Sequence, residues 1–61
     1  MKSVEQKMED MIQILANSLV DASKHAEGNN AAGGRVRKIL QQVAGQCKEL
    51  RKQVQLERTA E

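Results

Sequence analysis

Apolar residues recur along the first part of the chain at steps of three and four: Val4, Met8, Met11, Ile12, Leu15, Leu19, Ala22 and Ala26. That period places them on one face of an α-helix, and the spacing predicts a helix over about residues 3–27. Ser3 followed by Gln6 fits a capping box, in which the hydroxyl takes an orphan backbone N–H and the amide side chain reaches back. Glu5 in the first turn, and Lys24 and His25 in the last, have the signs that the helix dipole favours. Gly28 can adopt the left-handed conformation that ends a helix, and Asn29 tolerates a turn.

A second series follows, with Val36, Ile39, Leu40, Val43, Cys47, Leu50 and Val54 at helical spacing. Asn29 or Asn30 can cap its start, and the helix is expected over about 31–58, after a turn at 28–30. A connection this short forces the second helix back along the first, each about 36 to 42 Å long at 1.5 Å per residue. The expected fold is therefore all-α, an antiparallel helical hairpin in one domain spanning 1–61. Ile12, Ile14 and Val20 widen the apolar face of the first helix, and Leu40, Ala44 and Cys47 that of the second. A single hairpin cannot cover these flanks, so the expected assembly is a homodimeric four-helix bundle. Its core would hold Met8, Met11, Ile12, Leu15, Leu19, Val36, Ile39, Leu40, Val43, Cys47, Leu50 and Val54. Leu15 and Val43 read as seam centres where a buried Asp would unfold the assembly, and Gln53 as an exposed position that tolerates one.

Composition strengthens the case for a partner. The 61 residues are 39% apolar and 30% charged, with no Phe, Tyr, Trp or Pro and a single Cys. A chain of this size rarely stabilises itself with one core, and here neither aromatic bulk nor an internal disulfide is on offer. The single Cys, and the lack of any apolar run near ~18 residues, point to a cytoplasmic protein with no membrane role.

Charge changes the picture further, because the net +2 hides two unequal halves. Residues 1–29 carry three cations against five carboxylates, net −2, whereas residues 30–61 carry seven against three, net +4. Arg35, Arg37 and Lys38 stand near the start of the second helix, where cations oppose the dipole, so local helix stability does not account for them. At about 100° per residue, Arg37, Lys48 and Lys52 share one exposed strip with Arg51 and Lys38 on its flanks. Such a strip can track phosphates, or it can be the ordinary solvated face of a helix. Without aromatics there is no stacking platform for bases, and two long helices do not make a helix-turn-helix module. Contact with duplex backbone, independent of sequence, fits better.

Gly33 and Gly34 also stand near that helix start, each costing about 1 kcal/mol relative to Ala if helical. Either they admit another backbone or a phosphate, or the helix start is frayed. His25 and Cys47 lack the neighbours of a zinc site. Cys47 reads as a buried, inert thiol, and the carboxylates of the first helix read as solvated. No catalytic residue, cofactor or metal is expected, and the chain does not read as an enzyme.

The stretch from Glu27 to Lys38, E-G-N-N-A-A-G-G-R-V-R-K, resembles the bacterial histone-like family typified by the chlamydial linker-histone-like proteins. Gly28, Asn29, Ala31, Ala32, Arg35, Arg37, Arg51 and Lys52 stand at positions of the family pattern. Asn30 replaces a Lys of that pattern and Leu50 an aromatic, and these residues do not include the family's Lys/Ala/Pro-rich tail. The resemblance implies a helical, self-associating protein of the bacterial nucleoid, and with the charge pattern it makes Arg35, Arg37, Lys38, Lys48, Arg51 and Lys52 the expected contacts to the DNA backbone. A homodimer would compact or bridge duplexes. The alternative is a coiled-coil assembly or adaptor protein whose charges serve solubility and partner choice.

Overall fold

In the computed structural model, which describes residues 2–59, the chain forms three α-helices: α1 (Val4–Asn17), α2 (Leu19–Ala26) and α3 (Asn30–Thr59). The capping box is formed. Gln6 N donates to Ser3 Oγ at 3.1 Å and Ser3 N to Gln6 Oε1 at 2.9 Å. The single helix expected over 3–27 is instead interrupted at Ser18, whose Oγ donates to the Ile14 carbonyl at 2.9 Å. A serine bonded back onto its own helix perturbs the ladder, yet Ala22 N still donates to the Ser18 carbonyl, so α1 and α2 continue as one arm.

Gly28 ends that arm with φ +100°, a conformation that favours glycine. Its N–H donates to the His25 carbonyl at 2.9 Å and that of Asn29 to the Lys24 carbonyl at 3.0 Å, the paired bonds of a Schellman turn. Asn29 then caps α3, its Oδ1 accepting from Ala32 N at 3.0 Å. The connection thus occupies 27–29, and α3 begins and ends one residue away from the expected 31 and 58. Both arms pack lengthwise, antiparallel, giving a rod of 50 × 15 × 15 Å.

The seam follows a three-four alternation on each side. Val4, Lys7, Met11, Ile14, Ser18, Asp21 and Ala22 of the first arm are half-buried against Ala32, Val36, Ile39, Val43, Gln46, Leu50 and Gln53 of α3. Ala32, Val43 and Leu50 are the buried residues among these. Ile14, expected on the flank, lies in the seam, and Val20, expected beside it, is exposed on the outer side of the arm. Gln53, expected to be exposed, is half-buried, accepting from Lys7 Nζ and donating to Glu57 at 2.8 Å.

The expected oligomer core divides in two. Met11, Val36, Ile39, Val43 and Leu50 belong to the seam within one chain. Met8, Ile12, Leu15, Leu19, Leu40 and Val54 remain 37–67% exposed, and Cys47, expected to be buried, is exposed with them. The reason is geometric: the heptad row of α3 runs through Gln46 and Leu50, which places Cys47 a quarter-turn to the side. Leu15, Leu19, Ala22, Val36 and Leu40 border one apolar groove on this side of the hairpin. On the other side a groove is lined by Met11 and Leu50 together with Lys7, Asp10, Gln42, Gln46 and Glu49.

Candidate nucleic-acid interface

The basic residues lie where the helical period puts them relative to the seam. With Val36, Val43 and Leu50 turned towards the first arm, Arg37, Lys48 and Lys52 fall on the opposite side of α3. They are exposed, as are Lys38 and Arg51 on the flanks. Lys48, Arg51 and Lys52 border one shallow groove together with Gln55. From Arg37 to Lys52 the strip runs about 22 Å along the helix. Arg58, absent from the set expected from sequence, stands one heptad beyond Arg51 and is exposed too; that seven-residue step was the signal for it.

Arg35 stands apart from this strip. Its Nε donates to Asp21 Oδ2 at 3.1 Å and its Nη2 to Asp21 Oδ1 at 3.0 Å, a bidentate pair that ties α2 to α3 near the turn. The Arg35 hydrogen bond holds the Asp21 carboxyl below its usual range against partial burial, with the charges of Arg35 and Lys24 adding to it. Asp21 raises Arg35 in return, through the same hydrogen bond and then its charge. Asp21 is therefore a structural counter-ion and not a merely solvated carboxylate. Within the strip, Lys52 meets Glu49 at 3.9 Å, with both side chains well exposed; such a pair is worth little and exchanges readily. Among the described residues, Arg37, Lys38, Lys48 and Arg51 form no ion pair.

The two glycines at the start of α3 now separate. A Cβ at Gly33 would lie 2.5 Å from His25 Nδ1, so any side chain there requires the imidazole to move. Gly34 faces open space. Neither expected reading of this segment describes it: the helix start is regular from Asn30, and what comes close to Gly33 is the His25 imidazole of the same chain, not a backbone or a phosphate. No group of three or more His, Cys, Asp or Glu that could hold a metal ion occurs among the described residues. Among them, too, no helix is long and apolar enough to cross a membrane.

The sequence pattern of a known family, described as histone H1-like protein Hc1, matches residues 5–60. The chain belongs to the histone H1-like Hc1 family. No curated protein and no solved structure matches it. Membership makes it a histone-like protein of a DNA-binding family, and the geometry sorts the residues that carry the resemblance. Gly28, Asn29, Ala32 and Arg35 build the hairpin turn, through positive φ, cap, wholly buried methyl and ion pair. Leu50, which stands for the family's aromatic, is buried in the seam, so that position is part of the core. Arg37, Arg51 and Lys52 face solvent.

Proposed function

We propose that the chain binds the phosphate backbone of duplex DNA without marked sequence preference, through Arg37, Lys38, Lys48, Arg51 and Lys52, and compacts or bridges DNA as a homodimer in the nucleoid. The carrying observation is the exposed cationic strip on the side of α3 turned away from the seam, in a chain of the Hc1 family. Arg35 takes part only when Asp21 releases it. Duplex DNA carries one charge per about 1.7 Å of axis with both strands counted, so a length of about 22 Å holds about 13 phosphates, of which only those on the near side face the strip. Five side chains neutralise some of these, and contact depends on flexible Lys and Arg heads, which suits backbone binding and gives no means of reading bases.

Counterion release sets the expected behaviour. With five phosphates neutralised, log affinity falls against log salt with a slope of about −4.5, so a fourfold rise in salt weakens binding about 500-fold. A titration of mixed-sequence duplex over a salt series tests this on protein of known mass. Replacing Arg37, Lys48 and Lys52 together by Gln should flatten the slope by about 2.7. The same change at Lys2 and Lys24, on the acidic arm, should alter it much less. An unchanged slope in the triple variant overturns the strip. Absence of duplex binding by the parent at low salt overturns the DNA function in favour of an adaptor.

A further inference from the structure

Resting on the dimer reading above, we propose how the two copies meet. Each lays its first arm across the partner's α3, with both turns at the same end, so that the two basic strips point to opposite sides of the bundle.

The occupant of the open face follows from area and shape. The chain exposes 5057 Å² at 6.8 kDa, whereas a compact monomer of that mass exposes roughly 4,000 Å². The excess of about 1,000 Å² matches the roughly 800 Å² that one partner contributes to an ordinary stable interface. Met8, Ile12, Leu15 and Leu19 on the arm, with Leu40, Cys47 and Val54 on α3, form one long face with two parallel ridges. A second copy presents the same two ridges, equally long.

A two-fold axis in the plane of this face leaves two choices. If it runs along the helices, arm lies on α3 and axial levels are kept. If it runs across them, arm lies on arm, α3 on α3, and levels are reversed. Levels are fixed by contacts within the chain: Lys7 is level with Gln53, Asp21 with Arg35, and His25 with Gly33. By interpolation, Glu9 is level with Arg51 and Ile12 with Cys47.

Charge at the rims decides between them. The rim of α3 is a heptad row of Arg37, Ala44, Arg51 and Arg58, and the rim of the arm carries Glu5 and Glu9 followed by Ala16 and Ser23. With the axis along the helices, Glu9 meets the partner's Arg51 in a rim pair open to solvent, which exchanges readily with a DNA phosphate, and Ile12 meets the partner's Cys47. With the axis across them, α3 pairs about its centre near Ala44, which sets Arg37 against the partner's Arg51. Like charges at a rim disfavour that complex, and opposite charges fix the register of the first. The consequence is functional: diagonal α3 helices give the dimer one strip per side and thus a bridge between two duplexes. The crossed alternative would give one wide basic face for a single duplex.

The lone Cys47 provides the test. In Ile12→Cys, mild oxidation with diamide should link the new thiol to the partner's Cys47 and give a covalent dimer on a non-reducing gel, at least tenfold more than in Leu40→Cys. A covalent dimer from Leu40→Cys, with Ile12→Cys unlinked, overturns the proposal in favour of the crossed arrangement. Should Ile12→Cys close within its own chain, shown by a monomer two mass units lighter, charge reversal decides. Arg51→Glu should weaken dimerisation, and adding Glu9→Arg should restore it at least fivefold; no restoration overturns the arrangement. Circular dichroism of every variant must match the parent. Sedimentation of the parent as a monomer at micromolar concentration would sink the dimer itself, a failure distinct from a dimer that links through Leu40→Cys.

Discussion

The seam inside the hairpin and the apolar face on its side differ in how polar residues are distributed between them. The covered seam mixes Lys7, Ser18, Asp21, Gln46 and Gln53 with Val4, Met11, Ile14, Val36, Ile39, Val43 and Leu50; the open face holds Met8, Ile12, Leu15, Leu19, Leu40 and Val54. A hairpin built to stand alone would not leave six further large apolar side chains open while polar ones occupy seam positions, since each contributes roughly 1.5–3 kcal/mol when fully buried. The distribution teaches that the intramolecular seam sets register and turn geometry, while much of the apolar driving force is held for the second contact.

That contrast breaks most sharply under a buried charge. Val43→Asp puts an unpartnered carboxylate between the arms and should cost about 3 kcal/mol or more, enough to unfold a hairpin of this size. Leu15→Asp, on the open face, should act through association instead, weakening the dimer at least tenfold. Concentration separates the two. Helicity of Leu15→Asp, followed by circular dichroism, should recover as protein concentration rises, because dimerisation pulls folding by mass action. That of Val43→Asp should not.

These two positions also show how far the sequence could be read. The period of Val36, Val43 and Leu50 identified α3, and Gly28 with Asn29 located the turn, because each signal is local: a repeat, a cap, a residue able to take positive φ. The division of the apolar residues between seam and open face was not local. It depends on how the arms rotate against each other, an arrangement in which Ala32 is buried beside the turn and Lys7 bonds Gln53 towards the other end. Polar seam residues hid this choice, since a rule that places Gln and Lys outside points away from the true interface. For the same reason Asp21 read as solvent-facing until its partner Arg35, fourteen residues on, was brought beside it.

Gln46 sharpens the comparison from the seam side. Its Oε1 is buried with no hydrogen-bond partner among the described residues, and such a group costs about 1–3 kcal/mol. Gln46→Leu should therefore raise stability by about 1–2 kcal/mol, read as a shift of the denaturation midpoint. A lowered midpoint would mean that the polar group is satisfied in the folded protein.

The glycines of α3 offer a smaller, signed pair. A methyl at Gly45 meets nothing within 4 Å, so Gly45→Ala should stabilise by about 1 kcal/mol through helix propensity. Gly33→Ala gains the same propensity but forces the His25 imidazole to move. It should be neutral or destabilising, and His25→Ala should convert it into a stabilising change. Equal thermal shifts for Gly33→Ala with and without His25 would mean that the imidazole does not occupy the space over Gly33.

The smallest expected effect concerns the ion pair that keeps Arg35 out of the cationic strip. Asp21 has a lowered pKa in the folded chain, chiefly through its hydrogen bond from Arg35. A carboxyl lowered by folding stabilises the fold above its ordinary pKa of 3.8, and this contribution disappears as pH falls through the lowered value. Asp21→Asn should accordingly flatten the acid limb of the stability curve below about pH 4, by a modest amount that salt reduces further, since the pair is open to solvent. The same substitution acts oppositely on DNA. It removes one negative charge and releases the Arg35 guanidinium, so the affinity for duplex at low salt should rise and the salt slope steepen by about 0.9, one further phosphate. If Asp21→Asn leaves both slope and affinity unchanged while the fold persists, Arg35 lies beyond the reach of the bound duplex. The contacts then begin at Arg37, the first cation of α3 that turns away from the seam.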